Sequence, residues 1–203
     1  MKRFGLLLCA VGLLASCGTD DGGDATVTGA ASSNIVTTGS VAPPDAEPTA
    51  FHFRSGDLVL GPFDPYAVLG NVFDPCAEIS VEEFAAAGFT VDPSRGVTSS
   101  ERGVSSCFVE GSDPYVIAGF GGNAANREVI SSKKTLLSGY SSVIPGLFVY
   151  GDGRSEDAMC TAAVETPRGS LTSSFGTLRP SESLDTLCAE AVHMLEALFL
   201  LNR

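Results

Sequence analysis

The stretch MCTAAVETPRGSLTSSFGTL, residues 159–178, carries two extended runs joined by a short turn. In the first run Cys160, Ala162 and Val164 fall on one face and Thr161 and Glu165 on the other, the two-residue period of a strand. Pro167-Arg168-Gly169-Ser170 is turn chemistry. A link that short cannot cross over, so residues 171–178 return antiparallel to the first run. The period then changes. Beyond Pro180 and Ser181, residues Leu184, Leu187, Cys188, Ala191, Leu195 and Leu198 gather into one stripe at about 100° per residue. Asp185, Thr186, Ala189, Glu190, His193 and Glu196 gather opposite. This pattern predicts a final helix lying on the sheet with its polar side in water.

Working back toward the N-terminus, Asp74 and Pro75 are a helix start, with Asp as N-cap and Pro at the first helical position. Ser80-Val81-Glu82-Glu83 matches a capping box, and Val81, Phe84, Ala85 and Gly88 share one face, so a short helix is expected over 81–87. Residues 104–110 and 115–120 read as paired strands around the turn Gly111-Ser112-Asp113-Pro114. A helix is expected over 126–137, and an edge or bulged strand over 143–150 because of Pro145. Hairpins and helices together predict an α+β domain over residues 51–203, an antiparallel sheet packed against helices.

The whole chain has 203 residues, about one domain's worth, with 44% hydrophobic residues and a net charge of −12. Such an acidic chain gains nothing from phosphate contacts, which excludes nucleic acid as an expected partner. Lys2 and Arg3 precede an apolar run over 4–15, too short to span a hydrocarbon core that needs about 20 helical residues. The run ends in Leu14-Ala15-Ser16-Cys17, which resembles the lipobox of bacterial lipoproteins. The resemblance implies a leader over 1–16, cleavage before Cys17, and a diacylglyceryl thioether on Cys17. Two acyl chains give stable anchoring where one is marginal. Lys2 and Arg3 leave with the leader and no acid does, so the mature charge is −14. From 17 to 50, Gly, Ser, Thr, Ala, Asp and Pro dominate without an aromatic residue, the composition of a disordered tether. The expected location is the extracytoplasmic face of the cell membrane.

Cys9 lies in the leader, Cys17 is the lipidation site, and Cys76, Cys107, Cys160 and Cys188 remain. An even count in an exported domain reads as two disulfides, and locality favours Cys76–Cys107 and Cys160–Cys188. There is no C-x-x-C pair for a redox site, and the wide spacing does not suit zinc. Phe73-Asp74-Pro75-Cys76 followed by the short helix resembles the opening of an actinobacterial family of secreted lipoproteins of unknown function with a D-P-C motif. Cys107, Met159-Cys160-Thr161-Ala162 and Leu187-Cys188-Ala189-Glu190-Ala191 extend the resemblance over residues 60–203. Phe108 stands where that family would place Trp, which leaves the disulfide and the fold untouched. The resemblance implies location and architecture and carries no reaction.

No catalytic set, cofactor site or metal site emerges. G-x-S-x-G is absent, His193 lies on the polar helix face, and His52 adjoins the tether. Glu82 and Glu83 are explained by capping, and Asp152, Glu156 and Asp157 by a solvated turn. Gly119-Phe120-Gly121-Gly122-Asn123 lacks the Walker Lys and the full dinucleotide fingerprint, so it reads as a flexible turn. Lys133-Lys134 reads as a wet helix face, and Asp20, Asp21 and Asp24 as a solvating run without the ligand spacing of a calcium loop. The expectation is a non-enzymatic binding or accessory module of the envelope, meeting a membrane through Cys17 and a protein or lipid partner through its body. A carrier holding an apolar molecule between helix and sheet, and an envelope hydrolase, are the rival readings.

Overall fold

The computed structural model describes residues 49–111, 113–151, 158–178, 182–201 and 203. The expected leader, Cys17 and the expected tether as far as residue 48 lie outside the described residues. So do the acidic groups Asp20, Asp21, Asp24 and Asp152, Glu156, Asp157.

A first hairpin pairs β1 (Ala50–Phe53) with β2 (Gly56–Val59). Two short helices follow, α1 (Pro75–Glu78) and α2 (Val81–Ala86). Then come β3 (Thr90–Val91), β4 (Val97–Ser99), β5 (Val104–Glu110), β6 (Val116–Asn123), α3 (Arg127–Ser131) and β7 (Thr135–Leu137). The chain continues through β8 (Phe148–Gly151), β9 (Ala158–Thr166), β10 (Gly169–Thr177) and α4 (Leu184–Phe199). Strands β3 to β10 form one antiparallel sheet in the order β3–β5–β6–β10–β9–β8–β7, with β4 beside β5. The described part is therefore α+β, an antiparallel sheet packed against helices.

The β9–β10 hairpin has the expected faces and direction, closing where Thr166 pairs with Gly169. Cys160, Ala162 and Val164 enter the core together with Leu187, Cys188, Ala191, Leu195 and Leu198 of α4. Small residues line this seam: Ala162, Ser173 and Ala191 are fully buried, and Ser173 Oγ donates to the Ala191 carbonyl at 2.5 Å. Cys160 and Cys188 are bonded, with Cα atoms 4.9 Å apart. Cys76 is bonded to Cys107, which ties α1 to β5. The two links close loops of 31 and 28 residues, each worth about 3–4 kcal/mol in the chain-entropy model.

The same face of the sheet receives nearly everything else. Phe84 of α2 packs 5.3 Å from Phe120 of β6, and Phe51 of β1 packs edge-on 5.1 Å from Phe199 of α4. Phe53 stacks on Phe73, over whose ring the Arg168 guanidinium lies while it pairs with Glu78. On the opposite face, α3 covers the β8–β9 end through Ile130, Phe148 and Ala163. The β5–β6–β10 end of that face has no helix over it among the described residues.

Three expectations are corrected. The helix expected over 126–137 is five residues of α3, because Ser131 and Ser132 donate to the Glu128 and Val129 carbonyls, and Thr135–Leu137 is recruited by β8 as a strand. The strand expected over 143–150 is β8, which lies inside the sheet between β7 and β9. Pro145 precedes it in a turn with Gly146 at φ 76°, so its missing N–H costs the ladder nothing. Residues Gly119–Asn123 are not a turn but the second half of β6, paired on both sides.

The capping box is present, and its acid does more than cap. Glu83 is buried, accepts from the Ser80 N–H at 2.9 Å, and also accepts from the Arg54 N–H at 2.7 Å across in the β1–β2 turn. Phe84 and Glu83 are the buried residues of α2, while Val81 and Ala85 face water. Burial works to raise the Glu83 carboxyl, but the hydrogen bonds from Ser80 and Arg54 outweigh it and leave the group below its ordinary value of 4.5. A lowered acid stabilises the fold fully above its unfolded value and loses that contribution as pH falls through the folded one.

Two stability predictions follow from this packing. Leu195→Ala should cost about 2–5 kcal/mol in urea unfolding, whereas Glu190→Gln on the wet side of α4 should move stability by no more than about 0.5 kcal/mol. Glu83→Gln should cost about 1–3 kcal/mol at pH 7 by removing one charged acceptor. Its deficit should shrink at pH 3, where the parent carboxylate is itself being neutralised; an unchanged deficit would contradict the assigned role.

Candidate functional site

The register places rows of side chains across the open face. One row runs Ser106, Gly121, Thr172, Ala163, Phe148, and the next runs Phe108, Gly119, Ser174, Thr161, Tyr150. Glycine therefore occupies β6 where each row crosses it, and the trough left between β5 and β10 has a volume of about 300 Å³. Its floor admits no larger residue without backbone movement. A Cβ on Gly119 would stand 2.8 Å from the Cys107 carbonyl oxygen, and one on Gly121 would stand 3.0 Å from that of Ser105.

The rim is apolar and wet. Val104 (40% exposed), Phe108 (41%), Ile117 (38%) and Met159 (37%) border the trough, a concentration of exposed large side chains that a soluble surface seldom carries without use. Several polar groups of the floor are engaged within the sheet. Thr172 Oγ1 donates to the Gly121 carbonyl at 3.1 Å, and the Thr161 and Ser174 hydroxyls pair at 2.9 Å. Among the described residues no Asp, Glu, His, Lys or Arg lines the trough. Burial pushes the Tyr150 phenol up, against a smaller downward effect of its hydrogen bond to Thr161, so the far end of the row is also neutral at physiological pH. The seam between α4 and the sheet is filled by side chains, so this space lies on the face away from α4.

The four cysteines are brought together in pairs, Cys76 with Cys107 and Cys160 with Cys188. The histidines lie on separate elements. His52, on β1, has Nδ1 2.9 Å from Asp57, and His193 is exposed on α4. Lys133 and Lys134, expected on a helix face, fall instead in the turn after α3, which ends at Ser131. Among the described residues no group of His, Cys, Asp and Glu could hold a metal ion, and no helix is long and apolar enough to cross a membrane.

The groove was not singled out from sequence, though two signals point to it. Cys107 assigns the core side of β5, so Val104, Ser106 and Phe108 must face away from it. Gly119 and Gly121, two apart beside a strand-like run, put both missing side chains on one face.

Among curated proteins and solved structures nothing matches the chain. A family model described as a protein of unknown function, DUF3558, matches residues 12–199. The chain belongs to the DUF3558 family.

Proposed function

We propose that the protein is a non-enzymatic binding module held on the extracytoplasmic face of the cell membrane, and that the trough floored by Gly119 and Gly121 is its recognition surface. The observation that carries this reading is an exposed apolar rim around a space into which no titratable side chain of the described residues projects. Such a surface suits recognition, since acid–base or nucleophilic work needs groups of tuned pKa in reach of the reacting atoms.

The anchoring part of the proposal rests on Leu14-Ala15-Ser16-Cys17 after a short apolar leader. Thirty-one residues separate Cys17 from Thr49. A stretch of that length spans about 100 Å at full extension. The acidic body would stand off anionic headgroups and meet partners that are neutral or basic.

Two experiments test the two parts. Phe108→Ser with Ile117→Ser should give a folded protein that fails to complement a deletion strain, while His52→Gln with His193→Gln should complement fully. A folded groove variant that complements as the parent does would refute the recognition surface. Cys17→Ala should release the protein from membranes or leave an uncleaved precursor, and normal cleavage with unchanged membrane retention would refute the anchor.

A further inference from the structure

Resting on that reading of the groove, we propose that its occupant is one acyl chain of a net-uncharged bilayer lipid, lying along β6. The shape comes first. From Ile117 to Asn123 the lining strand runs for about 20 Å. About 300 Å³ spread over that length averages about 15 Å² in cross-section, a narrow trough that takes one chain lying partly proud of the surface and not two.

Hydrogen bonding excludes the main competitor. Strand β6 is paired with β5 on one side and β10 on the other, so an extended peptide laid on this face finds no free backbone ladder to join. The Thr172 hydroxyl is committed to Gly121 and the Thr161 and Ser174 hydroxyls to each other, which leaves Ser106 and Asn123 as the polar side chains a sugar or a polar peptide could use along an otherwise apolar or engaged lining. A polymethylene chain asks for none of these bonds.

Charge narrows the headgroup. Among the described residues no ionisable side chain lines the trough, and the chain as a whole carries −12. Glu110, two residues beyond Phe108 on the same side of β5, is ion-paired with Arg95 at 3.9 Å. A free anionic head would meet repulsion and no lysine or arginine in the trough. A neutral or zwitterionic head left at the mouth meets neither penalty. The chain between Cys17 and Thr49 is long enough to bring the groove to the bilayer in which the proposed anchor sits.

Photolabelling tests this directly. The full mature lipoprotein is reconstituted in phosphatidylcholine vesicles doped with a phosphatidylcholine carrying a diazirine within one acyl chain, irradiated, and peptide-mapped. Adducts are expected on 104–108 and 117–121. They should fall by about tenfold or more in Phe108→Glu with Ile117→Glu, because a charge facing an acyl chain costs more than one decade of affinity. Met159→Glu is a second variant should the first pair not fold, and Glu190→Gln is the unaffected control. Adducts that are absent, or indifferent to the rim charges, would overturn the proposal. Labelling of a soluble Cys17→Ala chain but not of the lipidated protein would show that the anchor's own chains fill the groove, which overturns the assignment to a bilayer lipid. If no adduct forms while the Phe108→Ser with Ile117→Ser protein still fails to complement, the occupant is wrong and the recognition surface stands. If that variant complements, the recognition surface itself falls.

Discussion

The contact on which this architecture depends is the close seating of α4 on β9 and β10. Ala162, Ser173 and Ala191 leave no bulk between helix and sheet, and the Cys160–Cys188 bond fixes the distance. With α4 so close, its stripe of Leu187, Leu195 and Leu198 spreads over the flanking strands, and Phe199 reaches the β1–β2 hairpin. One face of the sheet thereby becomes the whole main core. Burial of this kind is the largest favourable contribution to folding, at about 25 cal/mol per Å² of apolar surface.

Concentrating the helices on one side leaves the other side thinly covered. The short α3 protects only the β8–β9 end, where Phe148 and Ala163 sit under Ile130. At the β5–β6–β10 end the chain places glycines in mid-strand, at a cost of roughly 0.5–1 kcal/mol each relative to alanine. Gly122, facing the core side, admits the backbone at Phe73. Gly119 and Gly121, facing outward, create space that no described residue fills. The proposed recognition role gives this trough, with an exposed aromatic on its rim, a use.

Much of the fold was legible in the sequence because its signals are local and periodic. The alternation of Cys160, Ala162 and Val164, the stripe on α4, and the caps at Asp74 and Ser80 each report structure within a few residues. Locality also served the disulfides, because each bond closes a short stretch of chain, 31 residues in one case and 28 in the other. What failed was decided at a distance. Thr135–Leu137 has no strand signal of its own strength and is extended because β8 offers it a partner. Gly119–Asn123 has turn composition, yet two neighbouring strands hold it straight. The groove was missed for the same reason: glycine in isolation signals flexibility, and becomes a cavity floor only when the rows on either side are in register.

The central claim, that the trough is an occupied recognition surface, is tested most directly by native mass spectrometry of the lipoprotein released from its own membrane. The account predicts that the parent carries a bound partner that the Phe108→Glu with Ile117→Glu protein, equally folded, does not. Identical masses for the two proteins, after allowing for the substitutions, would contradict it.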